Sequence, residues 1–145
     1  AKMNSQQAVL EVTRQKPRQL YVLDTYAWVE YFRETTLADK VENILETGEC
    51  FTPTIVIAEL KTKFLRDNLV FADAFSFIEV KTPIVNLNKN LALSAGKINF
   101  ERKRVNPHWG LSDSIVLATA REFGAKVVTG DEDFRDLINE VIMLK

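Results

Sequence analysis

Four carboxylic acids stand where predicted strands meet the segments beside them. Asp24 ends the apolar run LYVL, and Asp131 follows the run KVVT. Glu59 lies on the helix predicted after the second strand, and Asp113 opens the helix predicted before the fourth. Carboxylates that converge in one crevice repel each other strongly unless cations neutralise them. Because all-oxygen sites select hard cations such as Mg²⁺ or Mn²⁺, this pattern predicts a divalent-metal site.

Each acid also has a purely structural explanation. Asp24 could cap the helix that follows it, since Asp is among the best N-cap residues. Asp113 could complement a helix dipole, and Asp131 could stabilise a turn. Glu59 flanks an apolar helical stripe, where its alternative role is an ion pair with Lys63 one turn later. Both kinds of role remain open for each acid at this point.

Composition excludes several other kinds of site. The chain has 145 residues, is 46% hydrophobic and 27% charged, and carries a net charge of −1. A stable nucleic-acid complex needs many Lys and Arg contacts to phosphates, so this balance favours a transient substrate instead. With one His and one Cys there is no Cys/His zinc site, and a Ser-His-Asp triad would have to use His108. No glycine-rich phosphate loop is present.

Strands alternate with helices along the chain, which predicts an α/β domain with a parallel sheet covered on both faces. If the first and fourth strands are neighbours, Asp24, Asp113 and Asp131 reach one crevice at the carboxyl ends of the strands. The predicted strands span 20–23, 49–51, 83–87, 126–129 and 141–144. The predicted helices span 25–32, 38–45, 52–66, 69–80, 89–104, 113–123 and 134–138.

Capping residues set the expected ends of several helices. Thr52, followed by Pro53, is the expected N-cap of the third helix. Asn88 and Ser112 are the expected N-caps of the two long helices in the second half of the chain. Gly124 is expected to end the last of these, whose apolar residues lie nearly all round and predict a buried helix.

Four short motifs resemble, in order, those of the PIN domain. They are LDT at 23–25, AEL at 58–60, SD at 112–113 followed by ATA at 118–120, and TGDEDF at 129–134. More closely, they resemble the VapC-type toxin ribonucleases of bacterial and archaeal toxin–antitoxin pairs. The resemblance covers about residues 20–145. Two features differ from the family pattern: the segment before the first strand is long, and Tyr26 replaces a small polar residue.

The resemblance implies a three-layer α/β/α fold with a five-stranded parallel sheet and RNA cleavage that depends on Mg²⁺ or Mn²⁺. It also implies a homodimer and an antitoxin protein as partner. By position, the acidic motif corresponds to Asp24, Glu59, Asp113 and Asp131 as catalytic and metal-binding residues. The hydroxyls beside it correspond to Thr25 and Thr129, which we expect to contact substrate. Asp133 is a further candidate ligand, and whether Asp131 or Asp133 faces the metal is open.

A basic segment precedes Asp113. Arg102 and Arg104 could hold RNA phosphates, with Trp109 as a platform on which a base stacks. Alternatively, these cations only complement the end of a helix, which is the interpretation we favour. Trp28 and the nearby aromatic residues are expected in the core or at a dimer contact.

Residues 1–18 are predicted to be an N-terminal tail or a cloning remnant, and residues 19–145 the nuclease domain. Cys50 is expected to be buried in a strand, and a lone cysteine suits a reducing compartment. No apolar run is long enough to span a membrane. These features predict a cytoplasmic protein without a membrane partner.

Rival functions predict different residues. A non-catalytic PIN-like module that binds RNA or protein would not need all four acids. A phosphotransfer receiver domain would need an acceptor Asp at the end of the third strand, where the chain has Asn86. A haloacid-dehalogenase-like phosphatase would need a second Asp at position 26, which is Tyr26. The sequence therefore favours a metal-dependent endoribonuclease.

Overall fold

The structure is a computed structural model that describes residues 4–7 and 18–145. Most of the expected N-terminal tail, including residues 1–3 and 8–17, lies outside the described residues. Among the described residues, no helix combines the length and apolar character that crossing a membrane requires.

Residues 18–145 form five strands and six α-helices, with two helices after each of the first three strands. The strands are β1 Leu20–Leu23, β2 Glu49–Pro53, β3 Ile84–Val85, β4 Lys126–Thr129 and β5 Val141–Met143. The helices are α1 Thr25–Phe32, α2 Ala38–Thr47, α3 Thr54–Arg66, α4 Ala72–Lys81, α5 Lys89–Val105 and α6 Leu111–Phe123. A short 3-10 helix, Glu132–Phe134, lies between β4 and β5.

The sheet has the order β3-β2-β1-β4-β5, and all its pairings are parallel. β1 lies at the centre, where Val22 is in register with Phe51 on one side and with Val127 on the other. The connections therefore run outward in both directions from β1. This confirms the predicted α/β fold with a five-stranded parallel sheet, and it makes the first and fourth strands neighbours.

The core fills both faces of the sheet. Val22 and Leu23 of β1 are fully buried, as are Val127 and Val128 of β4. In α6 every residue from 114 to 120 is buried, as its apolar pattern predicts. The buried elements β1, β4 and α6 carry three of the four candidate acids at or near their ends.

Aromatic residues fill the space beneath α1. Trp28 is fully buried and stacks on Phe32, with ring centroids 5.5 Å apart. Its indole Nε1 donates a hydrogen bond to Thr52 Oγ1 at 3.2 Å. These contacts confirm Trp28 as a core residue. They also hold α1, whose N-cap is Asp24, against the core.

Several local predictions are wrong. Thr52 belongs to β2, and α3 begins one residue after its N-cap Pro53. Ser112 lies inside the first turn of α6, whose N-cap is Gly110. In place of the predicted helix over 134–138, the chain forms the 3-10 helix Glu132–Phe134, which begins two residues before the predicted start. Thr52 is held in β2 by a tertiary contact, because its amide donates a hydrogen bond to the Pro83 carbonyl at 3.0 Å. The other two differences have local causes, since Asp113 completes the capping box at Gly110 and Asp131 caps the 3-10 helix.

Other local predictions are confirmed. Asn88 caps α5, with its Oδ1 accepting a hydrogen bond from the Leu91 amide at 2.9 Å. Gly124 ends α6 in the left-handed region at φ 63°, which favours glycine. Cys50 is buried in β2, and burial raises the pKa of its thiol to about 11.

Candidate metal centre

The candidate acids line one crevice at the carboxyl edge of the sheet. Asp24 follows β1, and its amide donates a hydrogen bond to the Val128 carbonyl of the adjacent β4 at 3.3 Å. A cavity of about 340 Å³ opens beside it. Its walls include all four acids predicted from the sequence: Asp24, Glu59, Asp113 and Asp131. The topology accounts for this, because the crevice lies where the strand order reverses at β1.

Three of these acids also cap local structure. Asp24 Oδ1 accepts a hydrogen bond from the Ala27 amide at 3.0 Å and caps α1. Asp113 Oδ2 accepts one from the Gly110 amide at 3.3 Å in a capping box. Asp131 Oδ1 accepts one from the Asp133 amide at 2.9 Å. The structural and metal-binding explanations are thus compatible, since each backbone contact engages only one of the two carboxylate oxygens.

Glu59 reaches the crevice from the second turn of α3. Its Oε1 accepts a hydrogen bond from Thr25 Oγ1 at 2.7 Å. Within residues 4–7 and 18–145 it forms no ion pair with Lys63, the structural alternative that the sequence offered. Thr25 therefore orients Glu59, although the two residues are 34 positions apart.

Asp113, Asp131 and Asp133 form the tightest acidic cluster. Each contributes one carboxylate oxygen, and these three oxygens lie within 4.8 Å of one another. Asp24 and Glu59 line the crevice but lie outside this cluster, whereas Asp133 belongs to the cluster but not to the crevice wall. Asp113 and Asp131 are common to both sets. We place the centre of the site at Asp113 and Asp131, since the distances among side-chain oxygens bear directly on ligation.

Burial makes the negative charges in this crevice unfavourable. It raises the pKa of Asp24 to about 7, and the charges of Asp113 and Asp131 add to the effect. Hydrogen bonds from Thr129 and from the Ala27 amide oppose it in part. Burial likewise raises the pKa of Asp113 to about 6. Buried carboxyl groups that crowd one another have the electrostatics expected of a site for cations.

The two predicted hydroxyl residues position the acids. Thr129 is fully buried, and its Oγ1 accepts a hydrogen bond from the Asp131 amide at 3.0 Å. The Thr129 hydroxyl also favours the charged form of Asp24 and so opposes the rise in its pKa. Thr129 and Thr25 thus each hold an acid in place from the end of a strand or the start of a helix. Whether they contact substrate stays a prediction.

Tyr26, the departure from the family pattern, packs against Gly130. A Cβ atom built at Gly130 would lie 2.2 Å from Tyr26 Cε1, so only glycine fits beneath the unmoved ring. Tyr26 also lines the crevice. The Tyr26 ring therefore restricts the space beside Asp131, which follows Gly130 in the chain.

Arg102 and Arg104 lie away from the crevice wall. The Arg102 guanidinium donates hydrogen bonds to both Asp136 oxygens, at 2.6 and 2.9 Å, and to the Asp133 carbonyl at 2.9 Å. It also lies over the Trp109 ring at 4.4 Å. Arg104 is exposed beside Phe100. Binding of RNA by these arginines stays a prediction, and Arg102 has a defined structural role beside it.

Trp109 is fully buried, so it cannot serve as an exposed stacking platform. Its indole Nε1 donates to Ser114 Oγ at 2.7 Å, and its ring packs on Phe134. This excludes the stacking alternative for Trp109. The residue instead supports the loop that carries Asp131 and Asp133.

Sequence reasoning missed several residues at the site. Asn106 Nδ2 donates to Asp133 Oδ1 at 2.9 Å and holds that carboxylate from the loop before α6. Glu30, Arg33 and Lys63 line the crevice from α1 and α3. Lys63 was expected from its i+4 spacing only as an ion-pair partner of Glu59, and its place in the crevice wall was not expected. Nothing local to Asn106 indicated its partner.

Comparisons with known proteins agree with this architecture. The family model of the PIN domain matches residues 21–139. A search of curated proteins gives no match. A toxin–antitoxin complex from Klebsiella pneumoniae superimposes with a TM-score of 0.69 at 20% identity, covering 86% of this chain and 98% of that chain.

Two further solved structures have similar folds. VapBC2 from Rickettsia felis, bound to a DNA fragment from its promoter, has a TM-score of 0.66 at 18% identity, covering 85% of this chain and 96% of that one. VapC20 from Mycobacterium tuberculosis, a sarcin–ricin loop cleaving toxin, has a TM-score of 0.65 at 14% identity, covering 81% and 95%. At these identities the likeness establishes a shared fold.

Proposed function

The chain belongs to the PIN domain family, and from that membership and its acidic crevice we propose that it is a metal-dependent endoribonuclease. Its substrate is RNA and its reaction is hydrolysis of a phosphodiester bond. The observation that carries the proposal is the cluster of Asp113, Asp131 and Asp133 oxygens within 4.8 Å, beside buried Asp24.

The donor set fits a divalent cation. All candidate ligands are carboxylate oxygens, which suit Mg²⁺ or Mn²⁺. Within the described residues, no Lys or Arg forms an ion pair with any of these acids. Burial, and to a smaller extent the neighbouring acids, raises the pKa of Asp24 and of Asp113, so a bound cation would favour their charged forms. Asp113 and Asp131 would hold the metal, with Asp24, Glu59 and Asp133 as further ligands, directly or through water.

A divalent ion supplies Lewis acidity at a phosphoryl oxygen and activates water at neutral pH. The chain's own residues provide the positioning. The capping contacts fix the Asp24, Asp113 and Asp131 side chains, and Thr25 fixes Glu59. Such preorganisation matters because a displaced ligand group would have to be reordered at each turnover. If water attacks, the products carry 5′-phosphate and 3′-hydroxyl ends.

Cleavage assays with Mg²⁺, Mn²⁺ and EDTA test the proposal. Labelled single-stranded RNA should be cut with either metal and not in EDTA. Asp113→Asn should abolish cutting, because an amide keeps the size of the side chain but loses the charge that attracts a cation. An Asp113→Asn variant that still cuts RNA at the wild-type rate would place the reaction elsewhere. Products with 2′,3′-cyclic phosphate ends would contradict hydrolysis by water.

The biological role that we propose is that of the toxin in a type II toxin–antitoxin pair, acting in the cytoplasm. The similar structures include toxin–antitoxin complexes, and one of them is described as a toxin that cleaves the sarcin–ricin loop. An antitoxin protein would be the partner. A gene for a small DNA-binding protein next to this one, whose product suppresses RNA cleavage, would support the role.

We also propose a homodimer with a two-fold axis, as the family resemblance implies. Trp28 is buried within the protomer, so the dimer must use other residues than this ring. Several large apolar side chains remain exposed, among them Leu93, Phe100 and Val105 of α5. Light scattering at tens of micromolar protein should report twice the mass of one chain, and a mass of one chain would remove this part of the proposal.

A further inference from the structure

A second cavity adjoins the acidic crevice. Its volume is about 290 Å³, and it lies between α1, the end of α3 and the start of α4. It shares Val29, Arg33 and Lys63 with the wall of the acidic crevice. The two cavities are therefore adjacent, and the side chains of Arg33 and Lys63 lie at their junction.

The second cavity has the lining of a small-ligand site. Its walls include the half-buried rings of Phe32 and Phe64 and the aliphatic side chains of Val70 and Ala74. Asp73 adds an exposed carboxylate that can accept a hydrogen bond. Apolar walls with a few polar groups are typical of ligand pockets, and this volume is near the lower end of the usual ~300–1,000 Å³. Such a space suits one planar ring system.

The junction has the charge that a phosphate needs. Lys63 forms no ion pair within residues 4–7 and 18–145, although it lies one helical turn from Glu59. Arg33 pairs with Asp67 at 3.3 Å, but both side chains are largely exposed. An exposed ion pair contributes little, so Arg33 can exchange Asp67 for a phosphate at small cost.

We propose that the second cavity is a nucleobase subsite. It receives the base of a nucleotide next to the bond that is cut, while Lys63 and Arg33 contact the phosphate between that base and the acidic crevice. The inference rests on the proposed nuclease function and extends it to how RNA is held. Aromatic and apolar walls favour a base because every base has a π-face that can stack.

RNA binding and RNA cleavage are measured in separate assays, so that the base subsite and the nuclease function can fail independently. Affinity is followed by fluorescence anisotropy with a short labelled single-stranded RNA and Ca²⁺ in place of Mg²⁺, with products checked on a gel. The same RNA is then made with an abasic nucleotide at each position in turn. We expect one abasic position to weaken binding about tenfold, the size of one lost stacking interaction.

Filling the cavity should have the same effect as removing the base. Ala74→Phe should weaken binding of the intact RNA about tenfold and abolish the penalty of the sensitive abasic position, because the two changes remove one interaction. Ala72→Phe is the matched control, since Ala72 is an exposed residue of the same helix that does not line this cavity. It should keep both the affinity and the abasic penalty.

The junction is tested with a second matched pair. Lys63→Met should weaken binding of intact and abasic RNA alike and flatten the dependence of affinity on salt, as expected when one phosphate contact is lost. Lys61→Met is the control, because Lys61 is exposed on the same helix outside both cavities. Equal RNA affinity and equal salt dependence in the two variants would contradict a phosphate contact at Lys63.

Three results would overturn the base subsite. The first is equal affinity for all abasic RNAs, and the second is wild-type RNA affinity in Ala74→Phe. The third is that RNA binding is lost only when a protein partner is added and that Ala74→Phe abolishes this effect of the partner. The last would make the cavity a socket for a partner's side chain. Base-dependent binding without any metal-dependent cleavage would instead support the subsite and contradict the nuclease.

Discussion

The acidic residues of the segment between β4 and β5 differ in whether an arginine neutralises them. Asp131 and Asp133 point toward Asp113, and no described Lys or Arg pairs with any of the three. On the outer side, Asp136 accepts two hydrogen bonds from Arg102, which lower its pKa. Glu132 pairs with Arg135 at 2.6 Å, which lowers its pKa as well.

The contrast separates acids that stabilise the fold from acids that the fold must tolerate. A carboxylate paired with Arg contributes to stability or is neutral. A buried carboxylate such as Asp24, whose pKa is raised to about 7, opposes folding at neutral pH until something neutralises it. Arginine side chains thus neutralise the outer acids Asp136 and Glu132, whereas no described Lys or Arg pairs with the crevice acids, for which we propose a metal ion. Each prediction below tests this division.

The largest expected effect is on catalysis. Asp24→Asn should lower the rate of RNA cleavage by about a hundredfold or more, because it removes a charge from the proposed metal site. Glu140→Gln is the matched control, since Glu140 pairs with Arg121 at 2.7 Å on the outer face. It should cut at the wild-type rate in single-turnover assays. Equal rates for both variants would erase the proposed difference between the two groups of acids.

Metal binding should stabilise the wild type by several degrees. A ligand of the native state raises stability by mass action, by about 2.7 kcal/mol at a hundred times its Kd. Thermal melts with millimolar Mn²⁺ should show this shift in wild type and Glu140→Gln but not in Asp113→Asn. An unchanged melting temperature in the wild type would count against the metal centre.

Stability without metal should fall as pH rises. The pKa of Asp24 is raised to about 7 and that of Asp113 to about 6, whereas both should be near 4 in the unfolded chain. Between those values the folded chain binds more protons, so its unfolding free energy decreases with rising pH. Melting temperatures in EDTA should drop by a few degrees from pH 5 to pH 8.

Neutralising Asp24 should remove part of that slope. Asp24→Asn should melt at or above the wild-type temperature at pH 8 in EDTA, whereas at pH 5 the two proteins should be close. The variant largely keeps the N-cap of α1, because the Asn side-chain oxygen can still accept a hydrogen bond from the Ala27 amide. A steeper decline in the variant than in the wild type would contradict the raised pKa of Asp24.

The smallest effects concern the paired acids. Asp136→Asn should lower the melting temperature by a few degrees, since it takes the carboxylate from a mostly buried Arg102 side chain, 12% exposed, at a cost of about 1–3 kcal/mol. Glu132→Gln should leave the melting temperature nearly unchanged, because the Glu132–Arg135 pair is exposed. A stabilised Asp136→Asn variant would contradict the role of this pair.

Local signals in the sequence were enough to identify much of the site. Asp24 follows an apolar run, Asp113 opens a buried helix, and Asp131 follows a strand and a glycine. Each of these positions is marked by the same feature that makes it a cap, namely a polar residue at a change of secondary structure. This is why the acids could be found without knowing how the strands are arranged.

The contacts of Asn106 and Arg102 were outside the reach of such signals. Asn106 lies 27 positions from Asp133, and Arg102 lies 34 from Asp136. The basic segment around Arg102 has the composition of a phosphate-binding rim, yet its guanidinium is held by Asp136 and by the Asp133 carbonyl. A residue's neighbours in sequence do not reveal which distant segment packs against it.

By itself, then, the sequence determined the order of strands and helices, the buried character of α6 and the four candidate acids whose role stays a prediction. Periodicity and capping are properties of short windows, so one chain suffices to read them. Only the tertiary structure decided that β1 lies between β2 and β4, that Thr25 holds Glu59, and that a second cavity opens beside Lys63. These depend on which segments pack together, and packing is set by the whole core at once rather than by any one stretch of residues.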